Sequence, residues 1–399
     1  MINHALENSS NIRDDFPILE NLDCVYLDSG ATSLKPETVA ASIASVYRNH
    51  CSNVGRSSHF IANDISAMFE DVRVKFSSLI NSFPDEIVFT QNCTDSINTV
   101  ANTLDIKESD RVIISELEHH SNLLPWKNKG DVDIVKVGPD GTVDLEHLEQ
   151  LLKKDTKLVS ITYVSNVTGN IQPIEQICSL ARKYGALTMV DAAQAIGHIP
   201  VDVHNLDCDF LACSAHKMLG PTGVGMLYIK RQSQKHLGLS RVGGGMVRSI
   251  SDNGVLYHSG FKRFEAGTPN IEGVIGLGAA IDYISEIGVE RIHEINMNLS
   301  QYFLQKFERF EKLYFPFPLS KDRIPLFTFC IRGNSDINFV SNILSSNYKI
   351  AISSGYQCNQ PIYNKENLSG GLRASMHFYN NFNDIDRFFN ALEEINPIL

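Results

Sequence analysis

Seven short apolar runs punctuate the chain between residues 87 and 229: 87–90, 111–115, 132–137, 158–164, 187–190, 210–213 and 225–229. They are rich in β-branched or aromatic residues and nearly continuous, the pattern of strands buried on both faces. Helical periods lie between them. Ile97, Val100, Ala101 and Leu104 recur at i, i+3, i+4 and i+7. A second pattern opens at Pro173, carries Ile174, Ile177, Ala181 and Tyr184 on one side, and stops at Gly185, a residue suited to a C-terminal cap. Cys178 falls on that pattern and reads as packing. Strands alternating with helices predict a mainly parallel sheet covered on both sides. From about Arg291 the character changes: a long helical stretch, then Pro316, Pro318 and Pro325, a strand-like run at 326–331, and a helix-strand-helix pattern to Leu399. The expected architecture is therefore α/β. A large domain over 20–290 holds a seven-stranded sheet, and a smaller α/β domain is built from 291–399 with 1–19.

Composition narrows the function classes. A chain of 399 residues with 43% hydrophobic content can bury more than one core. The formal net charge of −11 argues against nonspecific binding to nucleic acid or to an anionic membrane. No stretch approaches the ~20 consecutive apolar residues of a membrane-spanning helix. The polar start, residues 1–11, lacks the basic and apolar regions of a secretory signal. Eight scattered cysteines without a CxxC pair suit a reducing compartment, so a cytoplasmic protein is expected.

The candidate chemistry gathers where strands end. Ser214-Ala215-His216-Lys217 directly follows the run 210–213 and precedes the turn-forming Gly220-Pro221-Thr222-Gly223. A lysine held just beyond a buried strand can have its pKa lowered by desolvation and so become a nucleophilic amine. Asp191 ends the run 187–190, and Gln194 follows three residues later. Ligands of open α/β sheets sit outside the carboxyl ends of strands. A carboxylate there can pair with a protonated pyridine nitrogen, or simply cap the next helix. Asn92-Cys93-Thr94-Asp95 lies between the run 87–90 and an amphipathic helix. Such a helix start can bind phosphate through backbone N–H groups and the Thr94 hydroxyl; plain N-capping is the alternative. Glu118-His119-His120 follows the run 111–115. His119 could cover one face of a flat cofactor and move a proton. The paired histidines have no compatible Cys or carboxylate cluster beside them, so no metal site is expected.

These segments, in this order, resemble the class V branch of the fold-type I pyridoxal 5′-phosphate (PLP) transferases, specifically the SUF-type (group II) cysteine desulfurases and selenocysteine lyases. The resemblance rests on Tyr26-Leu27-Asp28-Ser29, Glu118-His119-His120-Ser121-Asn122, Val164-Ser165-Asn166, Val190-Asp191-Ala192-Ala193-Gln194, Ser214-Ala215-His216-Lys217 and Arg263-Phe264-Glu265-Ala266-Gly267-Thr268-Pro269-Asn270. It implies that Lys217 holds PLP as a Schiff base, that His119 stacks on the pyridine ring, and that Asp191 and Gln194 meet its nitrogen and phenolic oxygen. Thr94 with neighbouring Cys93, Ser214 and His216 would hold the phosphate. Thr268 would reach the phosphate of a neighbouring subunit, which implies a homodimer.

On the substrate side the resemblance assigns Arg373, with Asn166 beside it and Arg56 nearby, to the carboxylate of L-cysteine or a related amino acid. Cys358 is implied as the nucleophile that takes sulfur as a persulfide and passes it to an acceptor protein, for iron–sulfur cluster or cofactor assembly. The chain departs from the family at this end. Ser353-Ser354-Gly355-Tyr356-Gln357-Cys358 stands where Arg-Thr-Gly-His-His-Cys is usual, and Gly55 stands where a histidine is common, although Arg56 and His59 persist. The cofactor residues are intact while the sulfur-handling ones change. Two further readings are compatible with that pattern: a divergent class V aminotransferase, decarboxylase or C–S lyase of specialised metabolism, and a non-catalytic PLP-binding scaffold.

Overall fold

A computed structural model describes residues 9–333 and 336–396. Residues 1–8 and 397–399, with most of the polar N-terminal stretch and the end of the last expected helix, lie outside the described residues. A short strand β1 (Val25–Tyr26) precedes helices α1 (Glu37–Asn49) and α2 (Phe60–Leu79). Seven strands follow: β2 (Ile87–Thr90), β3 (Arg111–Ser115), β4 (Asp131–Val135), β5 (Thr156–Thr162), β6 (Leu187–Asp191), β7 (Phe210–Ser214) and β8 (Gly225–Ile229). They form one sheet in the order β2-β8-β7-β6-β5-β3-β4. The ladders from β7 to β4 are parallel, and only β8 runs against its neighbours.

The apolar runs thus become strands, with differences of one or two residues at several ends. The runs 132–137 and 158–164 stop at Val135 and Thr162, because the chain then leaves the sheet. Val137 bridges to Val143 instead, and Val164 to Ile171. The helical periods become α3 (Cys93–Thr103) and α4 (Ile174–Lys183), the latter with Pro173 as its N-cap residue. An exposed hairpin of β9 (Val247–Ser251) and β10 (Gly254–Tyr257) was not anticipated. The Asn253-Gly254 pair at its turn is a strong hairpin signal that could have found it. Helix α5 (Ile271–Ile287) then buries its apolar surface against α1 and α2.

The smaller unit begins with α6 (Val289–Phe307) and contains strands β11 (Leu313–Tyr314), β12 (Leu326–Ile331), β13 (Ile350–Ala351), β14 (Ser353–Gly355) and β15 (Gly371–Ser375). Four of these make a sheet in the order β11-β12-β15-β14, flanked by α7 (Ile337–Tyr348) and α8 (Phe382–Ile395). The fifth, β13, pairs in parallel with β1. Phe303, Phe327, Phe329 and Phe388 form its core, and Val25 and Leu27 pack among them. Phe16 and Leu19, by contrast, pack into the larger core. The segment around β1 thus packs with the small unit, and Arg13 also reaches it, donating to Asp384 of α8 at 2.8 Å.

His198 and His377 stack where the two units meet, with ring centroids 3.9 Å apart and both side chains buried. Burial holds the pKa of His198 down at about 3, helped by Lys217 and His293. Burial, then His198, drives His377 well below the ordinary histidine value. Both rings stay neutral in the folded chain, whereas the unfolded chain protonates them near pH ~6.5. The unfolded state binds more protons below that pH, so their contribution is complete above it and is lost as pH falls towards 3. By pH ~5.5, below the unfolded value, part of that contribution is already lost. Urea unfolding should show lower stability at pH ~5.5 than at ~7.5, by a margin that His377→Phe narrows. An unchanged margin in that variant would contradict the assignment.

Candidate active site

The C-terminal ends of β5, β6 and β7 open onto a cavity of about 430 Å³, ordinary for a small-molecule site. Cys93, Thr94, His119, Asn166, Asp191, Gln194, Ser214, His216, Lys217, Cys358 and Arg373 all line it. Arg56 and Thr268 do not. They line a second cleft of about 590 Å³, which shares Asn92 with the first. There the Arg56 guanidinium donates to the carbonyls of Gly244 and Gly267, at 3.1 and 2.7 Å.

Lys217 sits in a 3₁₀ turn, Ala215–Lys217, between β7 and the antiparallel β8. A short return between antiparallel strands leaves no room for a crossover helix, so the turn stays at the cavity wall. Burial lowers the pKa of the Lys217 amine; Asp191 opposes that shift and Arg373 adds to it. Among the described residues the amine makes no hydrogen bond. Asp191 closes β6 and is almost fully buried. Its Oδ1 accepts the Ala193 N–H at 3.0 Å and the Cys93 thiol at 3.3 Å. Burial raises its pKa, while the Ala193 N–H and Lys217 pull it back.

His119 lies over the loop after β3. Its Nδ1 accepts the Ser121 N–H at 3.0 Å, which leaves the ring proton on Nε2. Burial, then Lys217, His120 and Arg373, hold its pKa at about 3, so the ring is neutral. The loop is anchored from below by buried Glu118. That carboxyl takes hydrogen bonds from Asn122 Nδ2 at 2.6 Å, Thr162 N at 3.0 Å and Ser115 Oγ at 2.5 Å, joining the ends of β3 and β5. At the other wall, Asn92 caps α3 by accepting the Asp95 N–H. A Cβ on Gly225 would lie 2.5 Å from the Asn92 backbone, so only glycine at the start of β8 lets this helix start reach the cavity. The Ser214 hydroxyl accepts the Cys93 N–H at 2.8 Å, and the Thr94 hydroxyl lies 2.7 Å from that of Ser121.

Arg373 is buried on β15, opposite Ser353 of β14. Its guanidinium donates to the Asn166 carbonyl at 3.0 Å and to Asp28 at 3.2 Å. The Nε–H is buried with no partner among the described residues. Cys358 is exposed, and its carbonyl accepts the His120 N–H at 2.8 Å. Two contributors had no role assigned from sequence: Ser121, which orients His119, and Asp28, the counter-ion of Arg373. The motifs containing them carried the signal, but their spacing says nothing about which side chains meet.

The residues present fit a flat, anionic pyridine cofactor. Asp191 Oδ2 accepts no hydrogen bond among the described residues, and Gln194 Oε1 is buried without a partner. An unsatisfied buried acceptor is costly unless a ligand supplies its donor. The Ser214 and Thr94 hydroxyls and the start of α3 offer the donors that a phosphate requires. No group of three or more metal-ligating side chains occurs among the described residues.

The model of the Aminotransferase class-V family matches residues 25–388. A cysteine desulfurase of Escherichia coli O8 (strain IAI1) is 37% identical over 402 aligned positions, covering 97% of this chain and 98% of the relative. One from Shigella sonnei (strain Ss046) matches equally. Among solved structures, an apo cysteine desulfurase from Thermococcus onnurineus NA1 superposes with a TM-score of 0.92 at 33% identity, with 98% of each chain covered. A cysteine desulfurase from Escherichia coli gives 0.90 at 32% identity, covering 98% of this chain and 99% of the other. With a family match over nearly its whole length and relatives alike in sequence and in fold, the chain belongs to the class V aminotransferase family.

Proposed function

We propose that this protein is a PLP-dependent cysteine desulfurase, converting L-cysteine to L-alanine and retaining the sulfur as a persulfide on Cys358. The observation that carries the reading is the convergence of an amine (Lys217), a carboxylate receptor (Arg373) and a thiol (Cys358) on one 430 Å³ cavity. The similarity to curated cysteine desulfurases over 97% of the chain supports it.

Lys217 would hold the cofactor, with Asp191 facing its pyridine nitrogen, Gln194 its phenolic oxygen and the neutral His119 ring across its face. Ser214, His216, Thr94 and the Cys93 end of α3 would take its phosphate. When bound, PLP supplies an electron sink for density released at the substrate Cα. Arg373 binds the substrate carboxylate through its planar N–H fork, with Asn166 beside it, and so orients the Cα–H bond. The Lys217 amine, whose pKa burial lowers, takes the Cα proton. Cys358 Sγ, having given up its thiol proton, then forms an S–S bond to the substrate sulfur as the substrate Cβ–S bond breaks, and a proton delivered to Cβ together with the return of the Cα proton from Lys217 completes alanine.

Two copies of the chain make the working unit in this reading. Thr268 lies away from the cavity of its own Lys217, on the cleft shared with Arg56, which suits contact with a partner's phosphate. The sulfur leaves Cys358 for an acceptor protein that serves iron–sulfur cluster or cofactor assembly. Eight free cysteines support a reducing, cytoplasmic setting. Among the described residues no helix is long and apolar enough to cross a membrane.

Incubating the PLP-loaded protein with L-cysteine should give alanine in step with a persulfide on the peptide that contains Cys358. Cys358→Ala should abolish sulfur retention and lower alanine formation by roughly 10²-fold or more. Turnover of another amino acid with no alanine from cysteine would sink the reading in favour of a divergent class V enzyme.

A further inference from the structure

The hexapeptide ending at Cys358 is where the chain departs from its family, and its penultimate residue is held from three sides. Asn166 Nδ2 donates to the Gln357 carbonyl at 2.6 Å. Gln357 Nε2 donates to the Gly371 carbonyl at 3.1 Å, and the buried Tyr363 hydroxyl donates to Gln357 Oε1. Gln357 and Cys358 both have left-handed backbones, with φ of +44° and +56°. Successive non-glycine residues stay there only where their surroundings over-determine them. The anchors come from separate parts of the fold. Asn166 follows β5, Gly371 opens β15 two residues before Arg373, and Tyr363 lies in the short helix Gln360–Lys365. The Asn166 carbonyl is also the acceptor for Arg373 Nη1. A continuous hydrogen-bonded path therefore runs from the guanidinium, through Asn166, to the peptide that precedes Cys358.

We propose that Gln357 is a positioning residue that sets Cys358 at a fixed place relative to Arg373; this rests on reading Cys358 as the sulfur acceptor. An amino acid gripped by its carboxylate presents its sulfur at a reach fixed by a few bonds. The attacking thiol has to be located against the same arginine, and a misplacement of about 1 Å can cost on the order of 10²-fold in rate. The Gln357 amide meets this need by donating to β15 and accepting from Tyr363 at once, which a side chain without both functions cannot do.

The test compares native, Gln357→Leu and Tyr363→Phe proteins, all loaded with PLP. Leucine keeps the bulk and loses both hydrogen bonds; phenylalanine removes only the hydroxyl. Gln357→Leu should slow persulfide formation on Cys358 by about 10–10²-fold, leave the KM for L-cysteine within roughly twofold, and speed backbone hydrogen exchange in the peptide 353–363. Tyr363→Phe should show smaller changes in the same direction. Native exchange protection in Gln357→Leu would overturn the proposal, and so would faster exchange with a native rate of persulfide formation. Native protein that makes alanine without a persulfide would instead overturn the reading of Cys358. The two failures are distinguishable, because exchange reports the hold of Gln357 without any turnover.

Discussion

Lys217→Ala is expected to lose L-cysteine turnover by at least about 10³-fold while the chain keeps its fold. The side chain lines a cavity and makes no hydrogen bond among the described residues, so truncating it creates no packing defect in either core. On the proposed reading, chemistry would be lost in two ways: the covalent hold on the cofactor, and the amine that moves the Cα proton. Asp191 also loses a neighbouring positive charge that pulls its raised pKa back down. Borohydride reduction followed by peptide mapping should leave the cofactor on Lys217 in the native protein and on no residue in the variant. A small amine such as methylamine should restore part of the proton transfer. Turnover within tenfold of native, or a cofactor fixed to some other lysine, would remove Lys217 from its assigned place.

Arg73→Met is expected to destabilise the protein by about 2–4 kcal/mol, the cost of leaving a largely buried carboxylate without its cation. Arg73 on α2 is 1% exposed and donates to both oxygens of Glu265, at 2.8 and 3.1 Å. It also donates to Glu70 and to the Ile87 carbonyl, and its guanidinium lies over the rings of Phe261 and Phe89. Glu265 in turn accepts the Phe89 N–H at 2.7 Å, pinning the motif that carries Thr268 to strand β2. Burial raises the pKa of Glu265, and Arg73 is the main influence holding it back. Without the arginine, Glu265 takes up a proton in the folded chain more readily than in the unfolded one. The loss of stability should therefore shrink as pH falls towards the range where the carboxyl is protonated. Thermal unfolding should show Arg73→Met/Glu265→Leu recovering part of the deficit. A double variant no more stable than the single one would show that the ion pair is not its source.

The parallel sheet was legible because burial on both faces leaves nearly unbroken apolar runs, as in Thr156–Thr162 and Phe210–Ser214. That Asp191, Lys217 and the Asn92–Cys93 corner share one cavity was legible because they sit at strand ends, where topology alone decides the location. The rest depends on contacts between distant segments, which carry no periodic signal. Nothing in the spacing of Arg56 and Thr268 says that they share a cleft apart from Lys217. The pairing of Asp28 with Arg373, 345 positions apart, is equally silent in sequence. Around Cys358 the unfamiliar Tyr356 and Gln357 read as a loss of charge, whereas the structure gives Gln357 a set of hydrogen bonds. The Gly355–Gly370 approach behind them is too close for any Cβ on Gly370, which would lie 3.0 Å from the Gly355 backbone.

The pairing of β1 with β13 sets an order of events on the ribosome. Val25 finds its partner Ile350 only after most of the protein has been synthesised. At the ~5–20 residues per second of translation, that interval is roughly a quarter of a minute to a minute. During it the seven-stranded sheet can form, since none of its strands needs the C-terminal unit. The segment containing Val25 and Leu27 emerges first and docks last, and until then it is an apolar stretch with no partner strand. Nascent chains stalled before residue 350 should therefore expose this segment to chaperones or proteases even where the sheet bearing Lys217 is complete.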